Sequence, residues 1–199
     1  MQLIPENPDP SAYLAADEAI DHDHPLVRET AARLRAGAPE PYAYAEAAFE
    51  FVRDTVPHSA DSGDPRVTWR ASDVLEQRTG ICYAKAHALT ALLRAESIPA
   101  GLCYQRLADE DGANPVLHGL VALRLPGREQ WARQDPRGNK PGVDARFCLD
   151  EERLASVSRP EHGEVDYPTL YATPPPAVLK SLQESVDGPQ LWRTLPTEL

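Results

Sequence analysis

The chain has 199 residues, of which 42% are hydrophobic and 26% charged, a composition typical of one globular domain and not of a disordered chain. Its 31 acidic residues outnumber its 20 basic residues and give a formal net charge of -11, which argues against binding to nucleic acid or to an anionic membrane surface. The N-terminal residues show no basic segment followed by an apolar run, and no stretch of eighteen consecutive apolar residues occurs, so we expect a cytoplasmic protein.

The first sixty residues are rich in alanine, leucine, glutamate and arginine, with apolar residues three and four positions apart. This pattern predicts amphipathic helices over residues 11–20, 25–36 and 42–56. In the third helix, Tyr44, Ala48, Phe51 and Val52 share one face and are expected to lie on the core.

Residues 58–66 collect turn-forming residues and predict an exposed loop. A short helix is expected next, with Ser72 as its N-cap. From Cys82 the chain becomes rich in alanine and leucine until Pro99, which predicts a buried helix that begins at Cys82.

Beyond Gly101 the pattern changes to short apolar runs bounded by turn residues, which is typical of antiparallel strands. The predicted strands are residues 101–107, 117–125, 128–135 and 144–150. Pro126 and Gly127 are expected to form the turn between the second strand and the third. The last forty residues are rich in proline, so residues 176–185 are the one helix expected there and the remainder is expected to wrap around the core.

Cys82 is the strongest candidate for a nucleophile. A thiol attacks carbonyl groups as its thiolate, and the positive end of a helix lowers the pKa of a cysteine at the first residue. Gly80, two residues earlier, allows a tight turn into the helix. Cys103 and Cys148 lie in apolar strand-like runs and are expected to be small buried hydrophobic residues; three widely spaced cysteines also predict neither a disulfide framework nor a metal-binding C-x-x-C pair.

A cysteine nucleophile needs an imidazole within hydrogen-bond reach and a third group that orients the imidazole. His118 stands at the start of a predicted strand, and its side chain lies on the face opposite to Val121 and Leu123. We expect the face of His118 to meet the Cys82 helix. Antiparallel pairing through the Pro-Gly turn would bring Asp135 beside His118. We therefore predict Cys82, His118 and Asp135 as thiolate, base and orienting carboxylate.

Each of these residues also has an ordinary structural interpretation. A cysteine at a helix start is usually structural, a single histidine is more often a core residue, and Asp135 before Pro136 can cap a turn. Only the three residues together favour catalysis. His87, further along the Cys82 helix, is expected to point away from the thiol, and His22 and His24 lack the further ligands that a metal site needs.

Three segments in order carry a family resemblance: T-G-I-C-Y-A-K-A-H-A-L-T-A-L-L-R-A-E-S-I-P-A at 79–100, then H-G-L-V-A-L-R-L-P-G from His118, then W-A-R-Q-D-P-R-G-N from Trp131. Together they resemble the bacterial transglutaminase-like superfamily over roughly residues 70–150. The resemblance implies an α+β papain/transglutaminase-like core, in which a helix that bears the nucleophile packs on an antiparallel sheet. It also implies the catalytic order cysteine, histidine, aspartate, which Cys82, His118 and Asp135 match.

We accordingly expect one domain over residues 1–199, with a helical N-terminal part at 1–60, a catalytic core at 61–157 and a proline-rich wrapping tail at 158–199. The expected function is attack on an amide or ester carbonyl of a peptide, protein or small amide through a thioester, without a cofactor or metal. The alternative is a non-catalytic module that uses the same fold to bind a protein or peptide partner. Trp69 and Gln77, upstream of the cysteine, are candidate donors to a tetrahedral oxyanion.

Overall fold

The computed structural model describes residues 1–199. Its helices are α1 (Pro25–Gly37), α2 (Pro41–Thr55), α3 (Ser59–Ser62), α4 (Ala71–Gln77), α5 (Cys82–Ala95), α6 (Pro176–Glu184) and α7 (Gly188–Arg193). Its strands are β1 (Ile4–Pro5), β2 (Ala100–Leu107), β3 (Val116–Leu123), β4 (Ala132–Gln134), β5 (Val165–Asp166) and β6 (Thr169–Leu170). Every helix is too short or too polar to cross a membrane.

The central sheet has four strands in the order β4-β3-β2-β5, and every neighbouring pair is antiparallel. β2 and β3 pair along their whole length, from Ala100 opposite Leu123 to Leu107 opposite Val116. A separate two-stranded parallel pair joins β1 to β6, which places the N-terminal residues beside residues 169–170 of the proline-rich tail. The predicted α+β class with an antiparallel sheet is confirmed.

Helix α5 forms the centre of the core. Every residue from Cys82 to Arg94 is buried, because α1, α2 and α4 pack around the helix and β2 and β3 cover another side. Small alanine side chains on α5 allow its neighbours to approach closely, and its leucines fill the space between them. One hydrophobic cluster of 35 buried residues extends from Ile20 to Leu191.

The first turn of α5 lies very close to β3. A Cβ atom at Gly119 would lie 2.9 Å from Cδ1 of Tyr83 and 3.3 Å from its Cα atom, so only glycine fits without displacement. The Tyr83 hydroxyl donates a 2.6 Å hydrogen bond to the Leu117 carbonyl. These two contacts fix the strand that carries His118 against the start of the helix that carries Cys82.

Side chains along β3 alternate as predicted, but the face that meets α5 is the other one. Leu117, Val121 and Leu123 belong to the large cluster around α5, whereas Leu120 lies in a smaller cluster on the opposite face. The expectation that the face of His118 meets the helix was therefore wrong. The His118 ring still reaches the thiol because Cys82 is at the end of the helix, next to the Tyr83 backbone that Gly119 approaches.

The N-terminal predictions are partly confirmed. Helices α1 and α2 match the expected ranges 25–36 and 42–56 closely. The helix expected over 11–20 is wrong: Pro10–Tyr13 forms a short 3-10 helix, and the Asp17 carboxylate then accepts hydrogen bonds from the backbone N–H groups of Ala19 and Ile20 in place of helical carbonyls. In α2 Phe49 is buried with Tyr44, Ala48 and Val52, and Phe51 is half-buried at the edge.

The segment expected to be an exposed loop, residues 58–66, is only partly exposed. His58 and Ser59 are buried, α3 follows, and the Ser59 backbone N–H donates to the Gly80 carbonyl directly before α5. Ser72 is not an N-cap, because α4 begins after Arg70 and the Ser72 hydroxyl donates to the Asp21 carboxylate instead.

Two predictions in the second half of the chain are also corrected. Residues 144–150 form no strand, because the side-chain amides of Asn139 and Gln134 hydrogen-bond the backbone of Ala145 and Cys148 in place of a neighbouring strand. The predicted strand over 128–135 is reduced to β4.

The tail contains a second helix, α7, besides the expected α6. Helix α7 was not predicted because it contains Pro189. The proline lies in the first turn, where its missing N–H group would have no helical partner in any case.

Replacing Gly119 with alanine is expected to destabilise the fold by about 1–3 kcal/mol, because the added methyl group overpacks against the buried Tyr83 ring and backbone. Urea unfolding followed by circular dichroism measures the change. The control is Gly37→Ala, where a Cβ meets no atom within 4 Å. Equal unfolding midpoints for Gly119→Ala and Gly37→Ala would contradict the proposed close approach.

Candidate active site

Cys82 is the first residue of α5, and its side chain is almost enclosed, with 5% of the residue exposed. Ile81 precedes it as N-cap and supplies no side-chain hydrogen bond to the first turn. The free N–H groups at this end of the helix therefore act on the thiol and favour its ionised form. A Cβ at Gly80 would be tightly placed, 3.1 Å from that of Ala84 and 3.2 Å from Oγ1 of Thr68, so glycine suits this turn.

His118 and Asp135 are in direct contact. Nε2 of His118 lies 2.8 Å from Oδ2 of Asp135, and both residues are buried. The carboxylate also accepts backbone hydrogen bonds of 3.0 Å each from Arg137 and Ala155. Burial opposes ionisation of Asp135, but the charge and hydrogen bond of His118 and these two N–H groups outweigh it and lower its pKa.

The imidazole of His118 lies close enough to the Cys82 thiol to lower its pKa. Because Nε2 of His118 faces Asp135, Nδ1 is the nitrogen left for the sulfur. Burial raises the pKa of the thiol, but hydrogen bonds and charge from His118, with a hydrogen bond from His58, more than offset it and lower the pKa to about 6. Burial likewise opposes protonation of His118, and the Asp135 charge overcomes it and raises the pKa of the imidazole to about 10.

His58 is the residue at this site that the sequence did not reveal. It lies between α2 and α3, is 9% exposed, and its Nε2 accepts a 3.2 Å hydrogen bond from the backbone N–H of Cys82. No local pattern separates it from its turn-forming neighbours, and its partner lies 24 positions further along the chain. The contact depends on the pairing of His58 with Gly80, which only the folded chain shows.

Lys85, one turn after Cys82, is fully buried. Its ammonium group donates hydrogen bonds to the backbone carbonyls of Val56 and, at 3.3 Å, Arg53 at the C-terminal end of α2. Burial lowers the pKa of this amine to about 7, despite the opposing charge of Asp135. Lys85 thereby attaches the end of α2, and with it the segment that carries His58, to the helix that begins at Cys82.

The structure places the other cysteines and His87 away from this arrangement. Cys103 is buried, and burial raises the pKa of its thiol to about 12, while Cys148 is half-buried outside any strand. His87 is buried on another side of α5, where Nδ1 contacts the Trp69 carbonyl.

Neither oxyanion candidate joins the hydrogen bonds around Cys82, His118 and Asp135. Trp69 packs on the main core with Arg70 stacked on its ring, and its carbonyl meets His87. Gln77 is half-buried at the end of α4 and forms no side-chain hydrogen bond. Neither residue hydrogen-bonds to Cys82 or His118.

No group of three or more histidine, cysteine, aspartate or glutamate side chains is arranged to hold a metal ion. His24 caps the N-terminus of α1 through Nδ1, and His22 contacts the carbonyl of Leu14. What the site does offer is a thiol of lowered pKa, an imidazole of raised pKa and a carboxylate behind that imidazole. Such a set can attack a carbonyl carbon and return a proton to the group that leaves.

Comparison with known proteins places this geometry in a family. The family model of the Transglutaminase-like superfamily matches residues 28–136, more than half of the chain. The match begins within α1 and so includes most of α1 and all of α2 and α3, which lie outside the segment 70–150 on which the sequence resemblance rests. No curated protein matches the chain.

Solved structures with the same fold include a proposed cysteine protease from Cytophaga hutchinsonii, at 23% identity and a TM-score of 0.54. The match covers 66% of this chain but only 43% of that protein. The periplasmic domain of TgpA from Pseudomonas aeruginosa matches at 25% identity and a TM-score of 0.48, over 64% of this chain and 47% of that domain. This chain thus corresponds to less than half the length of either protein.

The order of cysteine, histidine and aspartate, the antiparallel sheet behind a buried helix and the family match over residues 28–136 agree with one another. The chain belongs to the transglutaminase-like superfamily.

Proposed function

We propose that the protein is an enzyme with Cys82 as nucleophile, acting on an amide or ester carbonyl. The observation that supports this most directly is the arrangement at the site: Nε2 of His118 lies 2.8 Å from Oδ2 of Asp135, and the same imidazole lies close enough to the Cys82 thiol to lower its pKa. In this proposal Asp135 holds the ring orientation and stabilises its charge, and His118 carries the proton of the thiol.

The reaction proceeds in two steps. The Cys82 thiolate attacks the carbonyl carbon, a C–S bond forms, and the π electrons of the carbonyl move to oxygen. The oxyanion then collapses, the C–N or C–O bond breaks, and His118 gives its proton to the leaving amine or alcohol. In the second step water or an amine attacks the thioester, gives a proton to His118 and releases the thiolate.

The expected substrate is a peptide, a protein or a small amide. Hydrolysis and acyl transfer use the same three residues and differ in which nucleophile reaches the thioester. A non-catalytic binding module is the competing function, favoured by the small exposure of Cys82 and His118, 5% and 6%. The two functions differ in the behaviour of the thiol, because a binding module has no need of a reactive thiolate.

The reaction of Cys82 with iodoacetamide is expected to follow a pKa near 6, since hydrogen bonds from His118 and His58 outweigh burial. Lowering the pKa stabilises the thiolate, so the rate should be low below pH 6, rise through pH 6 and stay constant until His118 loses its proton near pH 10. The measurement is mass mapping of label at Cys82 across pH 5 to 10.

Cys148→Ser removes the other cysteine that is not fully buried and serves as the background for this measurement, with Cys82→Ser as blank. A rate that rises only near the pKa of an ordinary thiol, about 8.5, would argue against an activated nucleophile and for the binding module.

Asp135→Asn is expected to slow acylation of Cys82 by p-nitrophenyl acetate by about 10³-fold or more, because the amide neither stabilises the imidazolium nor holds the required tautomer. The burst of p-nitrophenol measures the step. Asp144→Asn, an exposed carboxylate paired with Arg146, is the matched control and should retain the wild-type rate. Rates within tenfold of each other for the two variants would exclude Asp135 from the reaction.

A further inference from the structure

His58 lies against the backbone of the proposed nucleophile. Its Nε2 accepts the backbone N–H of Cys82 at 3.2 Å, and the same ring contributes to the lowered pKa of the Cys82 thiol. Its other nitrogen, Nδ1, is buried without a hydrogen-bond partner. A buried imidazole with one unpartnered nitrogen carries an energetic cost, and this one is directed at the reacting residue.

Attack on a carbonyl places negative charge on its oxygen, and catalysis depends on preorganised donors at that position. The backbone N–H of Cys82, at the first position of α5, is adjacent to the sulfur and is free of helical hydrogen bonds. In the structure His58 accepts this N–H. The ring therefore lies where a developing oxyanion would meet the Cys82 backbone.

The two histidines at Cys82 differ in how their protons are fixed. The tautomer of His118 is set by Asp135 at 2.8 Å. His58 has no partner at Nδ1, so no second group holds its proton on either nitrogen. The ring can accept from the Cys82 N–H when its proton is on Nδ1, and it can donate from Nε2 when the proton is there.

We propose that His58 is a catalytic residue of the oxyanion site: with its proton on Nε2, it donates a hydrogen bond to the substrate oxygen beside the N–H of Cys82. This inference rests on the proposed cysteine chemistry and adds one donor to it. It replaces Trp69 and Gln77 as the side-chain candidate, because neither hydrogen-bonds to Cys82.

The surrounding structure holds His58 in place. Ser59 donates its backbone N–H to the Gly80 carbonyl at 3.1 Å, and Lys85 binds the carbonyl of Val56 two residues before the histidine. Both attachments connect the segment to the start of α5. Attachment on both sides keeps the ring beside the Cys82 backbone, where an oxyanion site needs a positioned donor.

The test compares a reaction that forms an oxyanion with one that does not. Acylation by p-nitrophenyl acetate passes through a tetrahedral oxyanion, whereas alkylation by iodoacetamide displaces iodide without one. Both rate constants are measured across pH and compared at their plateaus, so that a change in the pKa of Cys82 does not affect the comparison. His58→Phe keeps the ring shape without a donor, and His58→Gln keeps an N–H donor.

In His58→Phe the ratio of acylation to alkylation is expected to fall about 10²- to 10³-fold, as for loss of one oxyanion donor. In His58→Gln the ratio should remain within about tenfold of wild type. His162→Gln, on the loop beside Gly112, is the control and should match wild type. Because the ratio compares two reactions of one thiol, a variant that merely packs less well lowers both rates together.

A wild-type burst with an unchanged ratio in His58→Phe would overturn the role of His58 and leave the cysteine chemistry standing. Equal loss of the ratio in His58→Phe and His58→Gln would also overturn it, since the amide supplies a donor. Wild-type protein without a burst and with an unactivated thiol would overturn the proposed function, and this inference with it.

Discussion

The close approach of β3 to the first turn of α5 is the constraint on which the site depends. It requires glycine at position 119, and the hydrogen bond from Tyr83 to the Leu117 carbonyl fixes the strand along its own direction. His118 lies between these two β3 residues. A displacement of about 1 Å at a reacting group can cost 10²-fold in rate, so the proposed role of His118 depends directly on the packing of a tyrosine ring on a glycine.

The charged groups near the thiol are buried, and each is compensated in a different way. Asp135 has His118 and two backbone N–H groups, which is enough to keep it ionised. Lys85 hydrogen-bonds carbonyl oxygens and no carboxylate, and burial lowers its pKa to about 7. Because an uncompensated buried charge is costly, the carbonyls at the end of α2 must stay near Lys85. The position of His58 therefore depends on a lysine that touches neither the thiol nor the imidazole of His118.

Much of the fold could be predicted from periodicity. The helical period located α1, α2 and α5, and alternation located β2 and β3, because these elements bury one face or lie wholly in the core. Prediction failed where side chains replace backbone partners. Asp17 bonds the N–H groups that a helix would have used, and Asn139 does the same for the segment around Ala145.

The site could be predicted in part for a related reason. The contact between His118 and Asp135 follows from the antiparallel pairing of β3 with β4, which are consecutive in the chain and connected by residues 124–131. Cys82 belongs to a separate helix, and its position beside His118 and Asp135 was predicted from chain order and family resemblance. His58 has neither advantage: its contact with Cys82 depends on the bridge to Gly80 and on the burial of Lys85. Such contacts form only in the folded core, and no periodic pattern in the sequence indicates them.

Three buried histidines show how partners decide chemistry. His87 has a carbonyl at one nitrogen and none at the other, and burial lowers its pKa, so it stays neutral within the core. His118 has a carboxylate, which makes the imidazolium stable enough to accompany a thiolate. His58 accepts the Cys82 backbone N–H through Nε2 and has no partner at Nδ1. His87 and His118 thus have pKa values shifted in opposite directions, and the carboxylate at the ring of His118 makes the difference.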